Sequence, residues 1–168
     1  MNKNPNIIDL KINKANLSQD SLWFLKMMFL EAKWFYNAVV ASKTPELFDV
    51  SLKNVKGFNQ DNKVMNYELK YLPLETKQEI KRQILQSINV LINRPDKSQA
   101  GVLKFKSEAT SIPLLKETYT LNGYKIKFLN NEQFMFLQDI DKIDREVIKM
   151  KLIQSSANYY VRFFLREQ

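Results

Sequence analysis

The sequence predicts an α+β protein in which a small antiparallel, OB-like β-barrel is interrupted after its first strand by a helical insert. Three observations predict this class. A short alternating segment opens the chain, two long segments then repeat apolar residues at helical spacing, and from residue 102 onward the apolar period is mostly two. We expect residues 1–15 and 101–168 to form the barrel, and residues 16–100 to form the insert.

The first strand and the first helix follow from local patterning. Ile7–Ile12 alternates and is short, which is typical of a strand, and it needs a distant partner strand to cover its apolar face. Asn16 or Ser18 then suits a helix cap, ahead of a segment without Pro or Gly that predicts a helix over Gln19–Ala41. The apolar stripe of this helix consists of Leu22, Leu25, Phe29, Ala32, Phe35 or Tyr36, and Val39. Because tryptophan and methionine occupy much of the opposite side, we expect the helix to be buried on several sides or to dock on a partner.

A second helix is predicted after an irregular stretch. Residues 43–73 contain two prolines and a glycine with weak periodicity, so we expect a loop with short helical or strand pieces. Pro73 then suits the start of a helix that runs from about Leu74 to Asn93. Opposite its apolar stripe lies a polar row with flanking cations, formed by Lys77, Gln78, Lys81, Arg82 and Gln86.

The remainder of the chain predicts strands joined by turns. After a loop over 94–101, we expect strands at 102–106, about 117–121, 124–128, 133–137, 147–153 and 159–165. Asn122-Gly123 suits a type I′ hairpin turn, and the segment "SSANYY" suits a second turn. The charged loop "DIDKIDRE" has room for a short helix.

Composition favours a polyanionic partner. The chain has 168 residues, enough for one good core or two small lobes, and 26 Lys and Arg against 18 Asp and Glu give a net charge of +8. The alternative source of that excess is an AT-rich genome, whose codons raise the lysine content of a whole proteome. The first residues lack the apolar run of a signal peptide, and no apolar segment is long enough for a membrane span, so we expect a soluble cytoplasmic protein without a membrane partner.

Missing residue types argue against catalysis. The chain has no Cys and no His, which removes thiolate zinc sites, the commonest general base and every Ser-His or Cys-His nucleophile. Three glycines are too few for a phosphate-binding glycine loop. Asp139, Asp141 and Asp144 lie close together, but Lys142 and Arg145 neutralise them and no glycine occupies the turn of a calcium loop. We therefore expect no enzyme activity, no metal and no cofactor.

Paired lysines on predicted strands are the main candidates for binding. The pattern Lys-X-Lys occurs at Lys104 and Lys106, at Lys125 and Lys127, and again at 149–151. Neighbouring strands would align such pairs into a stripe that follows a phosphate backbone. The alternative is that these lysines only keep outward strand faces soluble and discourage edge-to-edge aggregation. Interleaved aromatic residues either stack on bases or belong to the core, and they are Trp34, Tyr36, Tyr119, Tyr124, Tyr159 and Tyr160.

Five segments in this order resemble the N-terminal half of TnpB-like transposon-encoded RNA-guided nucleases, the relatives of compact type V CRISPR effectors. They are "FLEAKWFYNAVV", "LPLETKQEIKRQIL", "GVLKFKSEATSIPL", "YTLNGYKIKF" and "REVIKMKLIQSSANYYVRFFL". The resemblance implies a wedge-type barrel with a helical recognition insert that holds a guide RNA and reads a short DNA motif. It implies that nucleic acid meets Tyr36, Asn37, Lys77, Gln78, Lys81, Arg82, Lys104, Lys106 and Ser107, and the strand pair Lys125 and Lys127 extends this set.

The nuclease half of that family has no counterpart here, since the sequence ends at Arg166-Glu167-Gln168. We therefore expect a catalytically inactive protein that binds a structured guide-type RNA and acts as a regulator or an anti-CRISPR-like inhibitor, in a bacterial cell or in a host that carries a phage or mobile element. Two alternatives stay open. One is a subunit of a split nuclease that recognises duplex DNA beside the target, and the other is an inhibitor that docks on a CRISPR effector protein.

Overall fold

The computed structural model describes residues 4–93 and 103–168 and has an α+β fold, as the sequence predicts. The chain forms two compact units: unit 1 comprises Met1–Phe29 and Ala109–Gln168, and unit 2 comprises Leu30–Glu108. Relative to the predicted division at residues 15 and 100, the boundary instead falls inside the first helix, α1 (Gln19–Ala41). The N-terminal part of α1 therefore belongs to unit 1 and its C-terminal part to unit 2.

Unit 1 contains two antiparallel sheets. The strands of unit 1 are β1 (Ile7–Lys11), β4 (Ser111–Leu114), β5 (Tyr119–Asn122), β6 (Lys125–Phe128), β7 (Met135–Phe136), β8 (Val147–Ser155) and β9 (Asn158–Leu165). The larger sheet has the strand order β1-β9-β8-β4, and the smaller sheet has the order β5-β6-β7. Within the described residues neither sheet closes into a barrel. As the sequence predicts, β1 pairs with a distant strand, since Ile8 lies opposite Phe163 on β9.

Alternation along the strands builds the core of unit 1. On β9 the side chains of Val161, Phe163 and Leu165 are buried, whereas those between them are half-exposed. The N-terminal part of α1 adds aromatic contacts, because the ring of Phe29 stacks on Tyr159 with centroids 5.8 Å apart. Burying each large apolar side chain contributes about 1.5–3 kcal/mol. The period of two in the sequence is thus explained by a sheet with one buried face.

Unit 2 consists of the C-terminal part of α1, a β-hairpin and a second helix. The hairpin pairs β2 (Asn54–Phe58) with β3 (Val64–Glu68), and helix α2 covers Leu74–Ile92. The hairpin and a short 3₁₀ turn at Pro45–Leu47 are the strand and helical pieces expected between residues 43 and 73. Apolar side chains from all of these elements form its core, namely Ala32, Phe35, Val39, Val55, Leu69, Leu72, Ile80 and Ile84.

The strand predicted at 102–106 is wrong over its described part, residues 103–106, which have no strand partner. Residue 102 lies outside the described residues, as does most of the predicted loop 94–101. The strand forms later, at β4, where Ile112 and Leu114 are buried and pair with β8. The physical reason is burial: Phe105 is 62% exposed, so its apolar alternation with Leu103 does not mark a face that a sheet covers.

The turn between β5 and β6 differs in detail from the type I′ turn predicted at Asn122-Gly123. Asn122 pairs with Lys125, so the central residues are Gly123 and Tyr124, and only Gly123 has a positive φ, of 59°. A positive φ at the first central residue alone is the pattern of a type II′ turn. The type I′ pattern occurs instead between β8 and β9, where Ser156 and Ala157 have φ values of 49° and 63°.

Candidate nucleic-acid interface

Two predicted binding residues on α1 form hydrogen bonds to the backbone of residues 104–106. The Nδ2 of Asn37 donates to the carbonyl oxygen of Lys106 at 2.9 Å, and the backbone N–H of Lys106 donates to Asn37 Oδ1 at 2.8 Å. The hydroxyl of Tyr36 donates to the carbonyl oxygen of Lys104 at 3.3 Å. An amide side chain therefore makes the two hydrogen bonds that a neighbouring strand would make. Residues 104–106 are therefore held on α1 by side-chain hydrogen bonds and not by a sheet.

The side chain of Lys106 returns toward the same helix. Its Nζ lies 4.2 Å from the centre of the Tyr36 ring, within the range of a cation–π interaction. Loss of water around the ammonium lowers the pKa of Lys106, and burial raises the pKa of the Tyr36 hydroxyl. The structure thus brings four predicted site residues together: Tyr36, Asn37, Lys104 and Lys106.

The β2–β3 hairpin packs on the same stretch of α1 through one stacked pair. The rings of Trp34 and Tyr67 lie 4.2 Å apart at an angle of 11°. Gly57 permits this arrangement, because a Cβ at that position would lie 3.1 Å from Tyr67 Cε2. The sequence analysis did not assign the hairpin to the site, although "VKGFNQDNKVMNYE" combines β-formers with a central "NQDN" turn that could have indicated it.

Between α1, the hairpin tip and residues 105–107 lies a groove of about 580 Å³, which we call the aromatic groove. Among the residues that the structure describes, its lining includes three lysines, Lys33, Lys56 and Lys106, and no aspartate or glutamate. Its other polar residues are Asn37, Asn59, Gln60 and Ser107. Its aromatic residues are Trp34, Phe58, Tyr67 and Phe105. Cations beside aromatic rings, without a carboxylate, are the chemistry that binds a nucleic-acid strand.

Lys77 on α2 does not take the exposed position that the sequence analysis gave it. Lys77 is only 6% exposed. The negative charge of Glu31, which is fully buried, acts on its ammonium group. Burial lowers the pKa of Lys77, while the charges of Glu31 and Asp49 oppose that shift. Glu31 Oε1 accepts the N–H groups of Tyr71 at 2.8 Å and Leu72 at 3.2 Å, and burial raises its pKa. Lys77 therefore belongs to the core of unit 2, out of reach of a large ligand.

Of the other predicted residues on α2, Lys81 and Arg82 form hydrogen bonds within unit 2. Lys81 Nζ donates to the carbonyl oxygens of Glu46 at 2.9 Å and Phe48 at 3.0 Å, which fixes the 3₁₀ turn. Arg82 forms two hydrogen bonds with the carboxylate of Glu79, at 2.6 and 2.8 Å, on an exposed surface. Gln78 is exposed. The positive charge that the sequence places along this helix is thus offset by a carboxylate or turned toward backbone oxygens.

Lys125 and Lys127 lie on β6 of unit 1, both half-exposed. Lys125 Nζ is 5.6 Å from the ring centre of Tyr124 and 5.5 Å from that of Phe136, while Lys127 Nζ is 5.9 Å from the ring of Phe134. Each lysine of this predicted pair therefore has an aromatic neighbour. Ser107, the last predicted residue, is exposed and lines the aromatic groove of unit 2.

Neither a metal-binding cluster nor a membrane span emerges from residues 4–93 and 103–168. No group of three or more acidic residues in these ranges is placed to hold a metal ion. No helix there combines the length and apolar character needed to cross a bilayer. When the chain is compared with known proteins, no family model and no curated protein matches it. The assignment of a function therefore depends on the groove itself.

Proposed function

We propose that this chain is a catalytically inactive RNA-binding protein and that the aromatic groove of unit 2 is its principal contact. The observation that carries the proposal is the composition of the groove: three lysines and four aromatic residues line one concave surface that has no carboxylate. A phosphate backbone requires the cations, and unpaired bases use the aromatic faces. A structural core would not need three lysines on the wall of a groove.

The exposed aromatic side chains of the groove favour RNA with unpaired segments over duplex DNA. Proteins recognise RNA mainly at loops, bulges and ends, where bases leave the stack and meet aromatic side chains. Phe58 and Phe105 are 70% and 62% exposed, so their faces are accessible to such bases. In a regular duplex the bases are stacked on each other, and only their edges reach a protein.

The finer parts of the proposal rest on the order of motifs in the sequence. We propose that the chain corresponds to the guide-RNA-binding lobe of a TnpB-like or type V effector, with unit 1 as a relative of its OB-like wedge barrel. In that role it occupies a guide-type RNA in the cytoplasm and regulates or inhibits a related effector without cleaving nucleic acid. This view depends on the resemblance of the segments "GVLKFKSEATSIPL" and "FLEAKWFYNAVV", which contain its most specific motifs and which supply Lys104, Lys106, Tyr36 and Asn37.

A salt titration with charge-reversed variants tests the proposal. The probe is a fluorescein-labelled RNA hairpin with single-stranded tails, and its affinity is measured by fluorescence anisotropy from about 50 to about 200 mM salt. Three contacted phosphates predict a log–log slope near −2, at about −0.7 per phosphate. Changing Lys33, Lys56 and Lys106 together to Glu should abolish binding.

The matched control reverses three exposed lysines outside the groove: Lys43→Glu, Lys53→Glu and Lys116→Glu. It changes the net charge by the same amount, so general electrostatic attraction falls equally in both proteins. If the control loses as much affinity as the groove variant, the groove is not the site. If the wild-type protein binds no RNA even at the lowest salt, the proposed function is wrong. Salt-tolerant capture of an effector protein instead would favour the protein-docking alternative.

A further inference from the structure

The dimensions of the aromatic groove restrict what part of a nucleic acid can enter it. Its volume of about 580 Å³ falls in the range of small-molecule sites, about 300–1,000 Å³, and is far below that of a duplex-binding channel. A concave site of this size takes a single nucleotide unit. A ligand with a flat apolar face suits this groove, because four of its lining residues are aromatic.

Phe105 combines a fixed backbone with a side chain that is accessible to such a ligand. Its two neighbours, Lys104 and Lys106, are fixed by Tyr36 and Asn37 through three hydrogen bonds, yet its own side chain is 62% exposed. Exposing a large aromatic side chain on a fixed backbone leaves its burial energy unused in the folded protein. Pre-organisation of this kind lowers the entropy cost of binding.

A second part of the wall of the aromatic groove is also held by contacts within unit 2. Trp34 and Tyr67 are stacked on each other, and Gly57 brings the strand close to the Tyr67 ring. The three lysines of the groove come from separate elements, with Lys33 on α1, Lys56 on β2 and Lys106 in the segment 104–106. Lysines from three elements around the aromatic groove suit a nucleotide within a strand, which has a phosphate on each side.

We infer that the aromatic groove holds one unpaired nucleotide of an RNA strand, with its base against the aromatic wall and its flanking phosphates beside the lysines. This inference rests on the proposed function and adds that recognition depends on a base that has left the stack. Gln60 and Ser107 lie at the groove and supply polar groups for the base edge. Paired RNA of the same sequence cannot present its base face and binds through phosphates alone.

The test uses Trp34 as a built-in reporter. The chain has two tryptophans, and Trp23 is 52% exposed in the part of α1 that belongs to unit 1, so Trp23→Phe leaves Trp34 as the only one. Three RNA hairpins are titrated into this protein: one with a single bulged nucleotide, one with an abasic site at the bulge, and one fully paired. We expect the bulged hairpin to quench Trp34 fluorescence and the other two to leave it nearly unchanged.

A second variant connects the base to the aromatic wall. Phe105→Ala should weaken binding of the bulged hairpin about 5- to 150-fold, the range found when a stacking aromatic residue is removed, and should leave the abasic hairpin unaffected. Leu121→Ala, which truncates a 39% exposed leucine of unit 1, is the control and should change neither. Equal affinity for all three hairpins, without quenching, overturns the inference but leaves RNA binding intact. Failure of every hairpin to bind at low salt overturns the proposed function as well.

Discussion

The two hydrogen bonds between the Asn37 side chain and the backbone of Lys106 lead to a prediction that can be tested without a ligand. Changing Asn37 to Ala removes both hydrogen bonds to the backbone of Lys106, at 2.8 and 2.9 Å. A hydrogen bond contributes about 0.5–1.5 kcal/mol net, and the low end applies at this exposed site, so local opening should become easier by about 1–2 kcal/mol. Since about 1.4 kcal/mol corresponds to a tenfold change, the Lys106 amide should exchange with solvent about 5- to 30-fold faster.

Hydrogen–deuterium exchange read at single amides measures this effect. Asn37→Asp is an informative second variant, because its carboxylate still accepts the Lys106 N–H but cannot donate to the carbonyl. It should keep only part of the protection that the alanine variant loses, because the second carboxylate oxygen takes the place of the Nδ2 donor and repels the carbonyl oxygen of Lys106. Asn66→Ala, at an exposed position of β3, is the control for general loosening. Unchanged protection of the Lys106 amide in Asn37→Ala would refute the claim that α1 holds this segment.

Three further predictions concern buried charge, close packing and a strained turn. For Glu31→Gln, the unfolding free energy relative to wild type should rise as the pH increases above about 4.5, because the raised pKa of Glu31 gives stability that is present below its unfolded pKa of 4.5 and is lost as the pH passes its folded pKa. Gly57→Ala should cost about 1–3 kcal/mol, since its Cβ would lie 3.1 Å from the Tyr67 ring and the stack on Trp34 keeps that ring from moving away, and thermal melts measure that cost. Ser156→Asn with Ala157→Gly should stabilise the protein by about 1–2 kcal/mol in denaturant titrations, because both residues have positive φ.

Each of these has a control or a contradicting result. A pH-independent difference between Glu31→Gln and wild type would show that the ionisation of Glu31 is not linked to folding. Gly123→Ala is the counterpart of Gly57→Ala, since its φ of 59° is strained for alanine but nothing lies within 4 Å of the added Cβ. It should destabilise without altering the near-ultraviolet circular dichroism of Trp34, whereas Gly57→Ala should alter it. A turn variant less stable than wild type would contradict the assigned turn geometry.

Much of the fold could be predicted where burial and sequence pattern agree. The first helix covers Gln19–Ala41 as expected, because no residue inside it breaks a helix and its apolar residues repeat at helical spacing. The strands β8 and β9 also lie where alternation places them, since one face of their sheet is buried. Patterns that report burial on one side of an element are the ones that transfer directly to structure.

The errors have a common physical cause, which is that contacts between residues distant in sequence decide the local structure and burial. The segment 103–106 alternates like a strand, but its backbone is held by Tyr36 and Asn37. The sequence predicts Lys77 on the surface because lysine is almost never fully buried unless it is paired, and no local pattern reveals that the charge of Glu31 acts on it. The hairpin that completes the groove depends on the tertiary stack of Tyr67 on Trp34, which no local pattern encodes.

Photo-crosslinking tests the central claim most directly. A structured RNA that carries 4-thiouridine at an unpaired position is bound, irradiated and digested, and the crosslinked peptides are identified by mass spectrometry. The aromatic groove predicts crosslinks in the peptides that contain Trp34, Phe58, Tyr67 or Phe105, and their loss when Lys33, Lys56 and Lys106 are changed to Glu. Crosslinks confined to the solvent face of α2 or to unit 1, with the groove peptides unmodified, would contradict it.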